Sequence, residues 1–322
     1  MRVLSGIQPS GRLHIGNYFG AIQQYLELQE EHDCFFFMAN YHALTTIRDG
    51  KQMHEQTLDL AADYLALGLD PDRSTIFAQS DVPEVTELTW ILTTITPMGL
   101  LERCHAYKDK LQQGLPPEHG LFAYPVLMAS DILIYDSDIV PVGQDQKQHV
   151  EVTRDLAQKF NNTYGELLKV PEARILRSTA TVPGIDGQKM SKSYGNTICI
   201  FDPEKEVRKR IMSIVTDSTP VEEPKDPDEC SVYALFSLFA DEEERAEMAE
   251  RYRAGGLGYG DVKKEVFSRF MDHFADARQR RAELAEDMDH VVDVLKDGAE
   301  RARSIARQTV ARVRKACGVE IS

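Results

Sequence analysis

Two lysines three residues apart can place both ammonium groups on one anion. This chain carries such a pair in Lys189-Met190-Ser191-Lys192-Ser193, flanked by Gly184, Gly187 and Gly195. A mobile cationic loop of this kind, about 184–196, can close on a triphosphate and stabilise the charge that builds on departing pyrophosphate. The plainer alternative is a solvated Lys/Ser loop. A second candidate lies near the start, in Gly6-Ile7-Gln8-Pro9-Ser10-Gly11-Arg12-Leu13-His14-Ile15-Gly16-Asn17. Here a strand ends, a glycine turn follows and a helix begins, so free N–H groups and the positive end of a dipole face an anion. Gly16 lets a flat base or ribose approach the backbone, and His14 could donate to a phosphate oxygen. On this segment alone, an ordinary strand–turn–helix with a surface histidine is the simpler explanation, because short Gly/His motifs recur by chance. A third group surrounds Asp131. Met128, Asp131 and Ile132 are three and four apart, which sets a carboxylate among apolar side chains on one helix face. A carboxylate there is costly without a partner, and a donor-only indole N–H would suit it; a salt-bridge member on the helix surface is the alternative.

These groups need elements to hold them. Arg2 to Gln8 reads as a strand ending in the turn signal Pro9-Ser10-Gly11. Asn17 to Gln29 has helical spacing at Tyr18, Ile22, Tyr25 and Leu26, and Cys34 to Met38 is a continuous apolar run of the kind a buried parallel strand shows. Gln52 to Leu67 is a helix that stops at Gly68; Ser74 to Ala78 and Ile139 to Val142 are strands, and a helix follows from about Asp145 to Phe160. Strand and helix in alternation predict an α/β fold, a parallel sheet covered on both faces. A helical stretch from Pro83 to Lys110 and the loop Gly114 to Gly120 read as an insertion, about 83–123. Beyond Phe201 no strand is expected. Val207, Ile211, Ile214 and Val215 share one helical face, as do Val262, Val266, Phe267, Phe270 and Phe274, and Thr219 to Glu229 reads as a solvated linker. The expected organisation is therefore 1–200, Rossmann-like, and 201–322, all-helical.

Composition narrows the chemistry. The 322 residues, 42% hydrophobic and 28% charged, can bury a core and exclude a disordered chain. No apolar run approaches the ~20 residues of a membrane span, and Met1-Arg2-Val3-Leu4-Ser5-Gly6 reads directly into strand and turn rather than as a secretion signal. The five cysteines are far apart and form no CxxC pair, so no protein-bound metal is expected, and a reducing cytoplasm is the expected location. A net charge of −15 opposes casual contact with a polyanion. RNA would have to use local basic patches such as Arg208-Lys209-Arg210, Arg278 to Arg281 or Arg301 to Lys315, each of which is also readable as a solvated helix face.

The histidine–glycine and lysine motifs, in this order and with a Rossmann-like half between them, resemble the HIGH and KMSKS signatures of class I aminoacyl-tRNA synthetases. The last position of HIGH is Asn17 here, as is common in the bacterial tryptophanyl branch, so that contact would come from an amide. The run Val140-Pro141-Val142-Gly143-Gln144-Asp145-Gln146-Lys147-Gln148-His149 is similar to the tryptophanyl family's own and unlike the tyrosyl segment. The resemblance extends from Ser5 through Ser193 and more weakly to Val215-Thr216-Asp217-Ser218 and Gly258-Tyr259-Gly260.

By this resemblance the substrates are L-tryptophan, ATP with Mg²⁺, and tRNA(Trp). Gln8, Pro9, Ser10, Gly16 and Asn17 would line the ATP site, with His14 at the phosphates. Gly143, Gln144 and Asp145 would hold the ribose and nearby backbone, and Val182, in a strand-like segment, would meet adenine. Lys110, Lys189 and Lys192 would contact phosphates, and Met190, Ser191 and Ser193 would complete the loop. Asp131 would accept the indole N–H, Tyr124 and Gln146 would bind the ammonium, and Leu4, Gly6, His42, Met128, Val140 and Val142 would shape the indole pocket. His42 is equally readable as a satisfied core histidine. The resemblance also implies a homodimer and an anticodon-reading helical half; the Arg-rich helix Glu300 to Lys315 would lie near the anticodon or pack back on the catalytic domain. Three rivals stand beside this reading: a tyrosyl enzyme, a small nucleotidylyltransferase with an HxGH-type motif, and a non-enzymatic paralogue, which would tend to lose Lys189 and Lys192.

Overall fold

The apolar runs form one sheet. In the computed structural model, which describes residues 1–104, 118–143, 147–175 and 182–321, the strands are β1 (Arg2–Ile7), β2 (Asp33–Met38), β3 (Ser74–Ala78), β4 (Ile139–Val142) and β5 (Glu172–Ile175). They lie in the order β3-β2-β1-β4-β5, every pair parallel. In β2, Cys34 to Met38 are all buried, as a strand covered on both faces requires. β5 has no counterpart in the sequence reading. It is an edge strand whose Glu172 and Arg174 are exposed, so it carries no apolar run and is defined only by its ladder to β4.

Helices cover both faces. The chain enters α1 (Ile15–Asn17), passes through a π turn at Tyr18–Ile22 and continues as α2 (Gln23–Glu31). α3 (Asn40–Ala43) follows β2. α4 (Gly50–Leu67) starts under a cap, Asp49 accepting from the Gln52 N–H, and ends at Gly68 with φ 106°, where a side chain would be strained. The stretch expected to be helical from Pro83 divides at Pro97 into α5 (Glu84–Ile95) and α6 (Met98–Glu102), because proline cannot continue the ladder. α7 (His119–Ile134) begins inside the segment read as a loop ending at Gly120. α8 (Lys147–Tyr164) leads to β5.

The remaining chain is helical among the described residues: α9 (Glu204–Met212), α10 (Ser231–Ser237), α11 (Glu242–Ala254), α12 (Tyr259–His273), α13 (Ala275–Glu286) and α14 (Met288–Cys317). Val207, Ile211, Ile214, Val262, Val266 and Phe270 are buried together, but Val215 lies beyond the end of α9 and is exposed. The segment read as a solvated linker is folded around a lysine. Lys225 is 5% exposed; its ammonium donates to the carbonyls of Pro220 and Glu223 and stands 5.4 Å from the Tyr259 ring centre. Charge count alone made this stretch look solvated, whereas its lysine points inward at carbonyls.

α13 and α14 return to the sheet. Arg281 bonds Asp63 and Asp59 of α4. α14 lies along the open edge of β3, where Arg301 donates to the carbonyls of Pro71 and Ser74, and a Cβ on Gly298 would collide with the Ile76 carbonyl. Arg303 and Arg307 bind Glu84, Arg314 binds Glu87 and Arg312 binds Asp136. The Arg-rich helix therefore packs back on the sheet layer, and its arginines neutralise acids there.

Candidate active site

In an open parallel sheet, ligands bind beyond the carboxyl ends of the strands, where the strand order reverses. Here that point lies between β1 and β4. A cavity of about 200 Å³ opens there, lined by Leu4, Gly6, Gln8, His42, Tyr124, Met128, Asp131, Val140 and Val142, with Ser5, Phe37, Ala39, Ile132, Pro141, His149 and Val150. The apolar walls come from β1, β4 and the face of α7. Gly6 is needed for a packing reason: a Cβ there would sit 2.6 Å from the Phe37 ring. Every residue expected to shape an indole pocket is on this one surface.

Asp131 is 2% exposed. Its Oδ2 lies 2.8 Å from His42 Nε2, and Gln79 Nε2 donates to Oδ1 at 2.8 Å and Oδ2 at 2.9 Å. An ionised carboxylate only accepts, so His42 Nε2 carries the proton of that bond. Burial pushes the Asp131 carboxyl up from its ordinary range, and the His42 and Gln79 bonds pull against it. Two protein donors leave acceptor capacity among the carboxylate's roughly four lone-pair sites. His42 is thus a buried histidine with a defined partner, and that partner is the pocket's carboxylate. Tyr124 reaches the same cavity; its hydroxyl is 3.3 Å from His149 Nε2.

The phosphate side is built where the two motifs meet. The backbone at Leu13–Ile15 pairs with the stretch after the lysine loop: the Ile200 N–H donates to the Leu13 carbonyl, and the Ile15 N–H to the Ile198 carbonyl. Lys192 Nζ donates to the Gly11 carbonyl at 2.8 Å, and burial holds its ammonium below the ordinary lysine range. His14 is 5% exposed, and its pKa is lowered to about 4, by burial first and then by the Lys192 charge. It is neutral near pH 7. Its Nδ1 is turned against Gly16, buried and without a hydrogen-bond partner among the described residues. A buried lone pair costs less there than a buried N–H, which places the proton on Nε2. A Cβ on Gly16 would come within 2.9 Å of that Nδ1 and 3.4 Å of Met190 Cβ, so this glycine seats both motifs. Asn17 Oδ1 accepts the His14 backbone N–H, leaving its NH₂ to donate. Gly11, at φ 105°, makes the turn after Pro9 and Ser10.

In the loop itself Met190 is buried, Lys192 half-buried, and Lys189 and Ser193 exposed. Ser191 Oγ and Ser193 Oγ share a hydrogen bond of 2.8 Å. The loop is organised by Asn196, which sequence reasoning passed over as a flanking residue. Asn196 is 2% exposed; its amide accepts from the Ser191 N–H and donates to Asp186 Oδ1 and the Lys189 carbonyl. Val182 is buried, and its carbonyl accepts the Met190 N–H; the residues just before it, 176–181, lie outside the described residues, and the adjacent Pro183 pairs with Lys189 in an isolated bridge. Gly143 stands at the end of β4, half-buried. Lys110, Gln144, Asp145 and Gln146 lie outside the described residues. Gln79 was missed as well, although a polar residue directly after a strand, at its carboxyl end, is a legible signal of a ligand-facing position.

The chain matches the family of class I tRNA synthetases (W and Y) over residues 1–275. It is 57% identical over 319 residues to the Tryptophan--tRNA ligase of Rhodopirellula baltica, a match covering 99% of this chain and 100% of that protein. It is 54% identical to the Tryptophan--tRNA ligase of Fusobacterium nucleatum, over 99% of this chain and 98% of that one. The crystal structure of tryptophanyl-tRNA synthetase from Campylobacter jejuni complexed with ADP and tryptophan is similar with a TM-score of 0.93 at 52% identity, covering 99% of this chain and 100% of that one.

Proposed function

The chain belongs to the class I tRNA synthetases that serve tryptophan and tyrosine, and from that membership we propose how its two motifs and its cavity divide the work of a tryptophan–tRNA ligase. It activates L-tryptophan with ATP, giving tryptophanyl-adenylate and pyrophosphate, and then transfers tryptophan to the 3′ end of tRNA(Trp). The observation that carries the tryptophan reading is Asp131, a buried acceptor at the edge of an apolar cavity. A site built to bond a buried substrate N–H rejects an analogue lacking it by a factor on the order of 10⁴. Leu4, Gly6, Met128, Val140 and Val142 enclose the ring, and Tyr124 with Gln146 meets the ammonium.

ATP lies along the turn Gln8 to Asn17, with Gly143, Gln144 and Asp145 at the ribose and Val182 at the base. The tryptophan carboxylate attacks the α-phosphorus in line; the bond to the pyrophosphate oxygen breaks, and pyrophosphate leaves. The protein supplies position and charge rather than a covalent intermediate. His14, neutral, donates Nε2–H to a phosphate oxygen. Lys192 exchanges the Gly11 carbonyl for a phosphate, joined by Lys189 and Lys110, as the loop closes. Mg²⁺ would enter with the triphosphate and neutralise part of its charge there. A ribose hydroxyl of the tRNA then takes the acyl group, and AMP departs.

The same reading places a homodimer contact on α5, whose Trp90 is 69% exposed and whose Thr86 and Thr89 line a groove with Leu44. It places tRNA contact on the helical part 201–322, where Arg208 and Lys209 of α9 are exposed. The reaction places the protein in the cytoplasm with tRNA and ATP. No helix among the described residues is long and apolar enough to cross a membrane.

Amino-acid-dependent ATP–pyrophosphate exchange with tryptophan and tyrosine in parallel tests the pocket. Exchange with tryptophan alone is expected. Exchange with tyrosine alone would keep the reaction and remove the role of Asp131; exchange with neither, in a folded protein that binds ATP, would favour a non-enzymatic paralogue.

A further inference from the structure

Gln79 sits in the 3-10 turn Gln79–Asp81 directly after β3 and is 1% exposed. Its Oε1 accepts the backbone N–H of Tyr41 at 3.0 Å. That N–H can only donate, so it fixes which end of the amide is oxygen, and the NH₂ end must face Asp131. Both carboxylate oxygens are then within 2.9 Å of Gln79 Nε2. The turn is stitched to α3 by a reciprocal pair: Asn40 Nδ2 donates to Ser80 Oγ, and the Ser80 N–H donates to Asn40 Oδ1. α3 also carries His42, the other donor to Asp131. Two segments far apart in sequence are thereby locked together with both their donors aimed at one carboxylate.

We propose that Gln79 is a specificity-determining positioning residue, whose amide, oriented by the Tyr41 N–H, holds Asp131 ionised and turned so that its remaining acceptor position meets the ring N–H of the substrate. The inference rests on the reading of Asp131 as the indole acceptor. Glutamine accepts from Tyr41 and donates to Asp131 at once without needing a titratable proton to do so. Glutamate accepts from Tyr41 but sets a second carboxylate on the first, and methionine does neither. Burial alone drives Asp131 towards its neutral form. Without Gln79, His42 is the single described donor opposing that drive, and the carboxyl is free to rotate about it.

The test is ATP–pyrophosphate exchange by the full chain with tryptophan and with an analogue carrying sulfur in place of the ring N–H. Gln79→Met, Gln79→Glu and Asp131→Ala are compared with the parent. Loss of a charge-assisted hydrogen bond predicts that Gln79→Met raises the KM for tryptophan roughly tenfold, with kcat within about twofold. The preference for tryptophan over the sulfur analogue falls by the same factor. Gln79→Glu keeps the shape and the acceptor for Tyr41 but donates to Asp131 only while the pair shares a proton, so its preference for tryptophan falls as pH rises, and this variant carries the test if the methionine variant does not fold. An unchanged preference in a folded Gln79 variant, where Asp131→Ala loses it, overturns the role of Gln79 and leaves that of Asp131. A preference unchanged in Asp131→Ala overturns both. A loss confined to kcat would mark Gln79 as packing only and overturn the proposal too.

Discussion

His14 and Lys192 owe their protonation behaviour to burial at the same junction, and that has measurable consequences. The pKa of His14 falls from the ordinary 6.5 to about 4 on folding, so the unfolded chain takes the proton first as pH drops. Its contribution to stability is complete above about 6.5 and lost as pH falls towards 4. Asp63 has the opposite sign. Burial raises it from 3.8 to about 6 despite Arg281, so the folded form takes the proton first, and stability gains as pH falls through 6. In urea unfolding between pH 7 and pH 4, His14→Gln should therefore lose less stability than the parent and Asp63→Asn should lose more. Parallel slopes for all three would contradict the burial argument. For Lys192→Ala, loss of one preorganised charge predicts an adenylation rate lower by roughly 10²-fold, with tryptophan binding little changed. A single-turnover rate equal to the parent's would reject the assignment.

Among the elements, α14 does what an exposed sheet edge demands. β3 ends the sheet, and an open edge of that kind must be paired, covered or charged. α14 covers it, and Gly298 permits the approach, since any Cβ there would meet the Ile76 carbonyl. Gly298→Ala should destabilise the fold by about 1–3 kcal/mol through overpacking, despite alanine's better helix propensity. A urea midpoint at or above the parent's would mean that the helix shifts without cost. The arginines of α14 also explain how a chain with net charge −15 tolerates Glu84, Glu87 and Asp136 on adjoining elements. The same pairing removes this helix from the list of free cationic patches.

For the whole molecule, exposed apolar side chains are most informative when they share a surface. Trp90, 69% exposed, projects from α5, and Leu44, 47% exposed, lines the groove beside that helix. α5 otherwise buries Val85, Leu88 and Leu92 against the sheet layer. If the proposed homodimer packs through this face, Trp90→Glu should convert the protein to monomer in sedimentation equilibrium while the isolated chain stays folded. A variant of unchanged mass would place the contact elsewhere. The single tryptophan makes the same question readable by its fluorescence across a dilution series.

The local signals in the sequence were those set by neighbouring residues. The runs Cys34 to Met38, Ser74 to Ala78 and Ile139 to Val142 are strands built from short, buried, largely apolar stretches, and Gly68 ends α4 because only glycine takes φ 106° without strain. The order of the His14 and Lys189–Lys192 motifs around an alternating pattern was likewise legible, and with it the α/β class. Asp131 could be singled out because a carboxylate on an apolar helix face needs a partner. Which partners it has, His42 and Gln79, depends on β2 and β3 lying side by side, a pairing between residues 89 and 52 positions away in the chain. β5 and the inward turn of Lys225 were invisible for the same reason, since a ladder or a cage of carbonyls gives a polar residue a buried place that its own neighbours do not announce. The basic run of α14 could face RNA or acids as far as the sequence went. Tertiary packing decided it, because Arg303, Arg307, Arg312 and Arg314 meet their carboxylates, and Arg301 its carbonyls, only when the last helix folds back along the edge of the sheet.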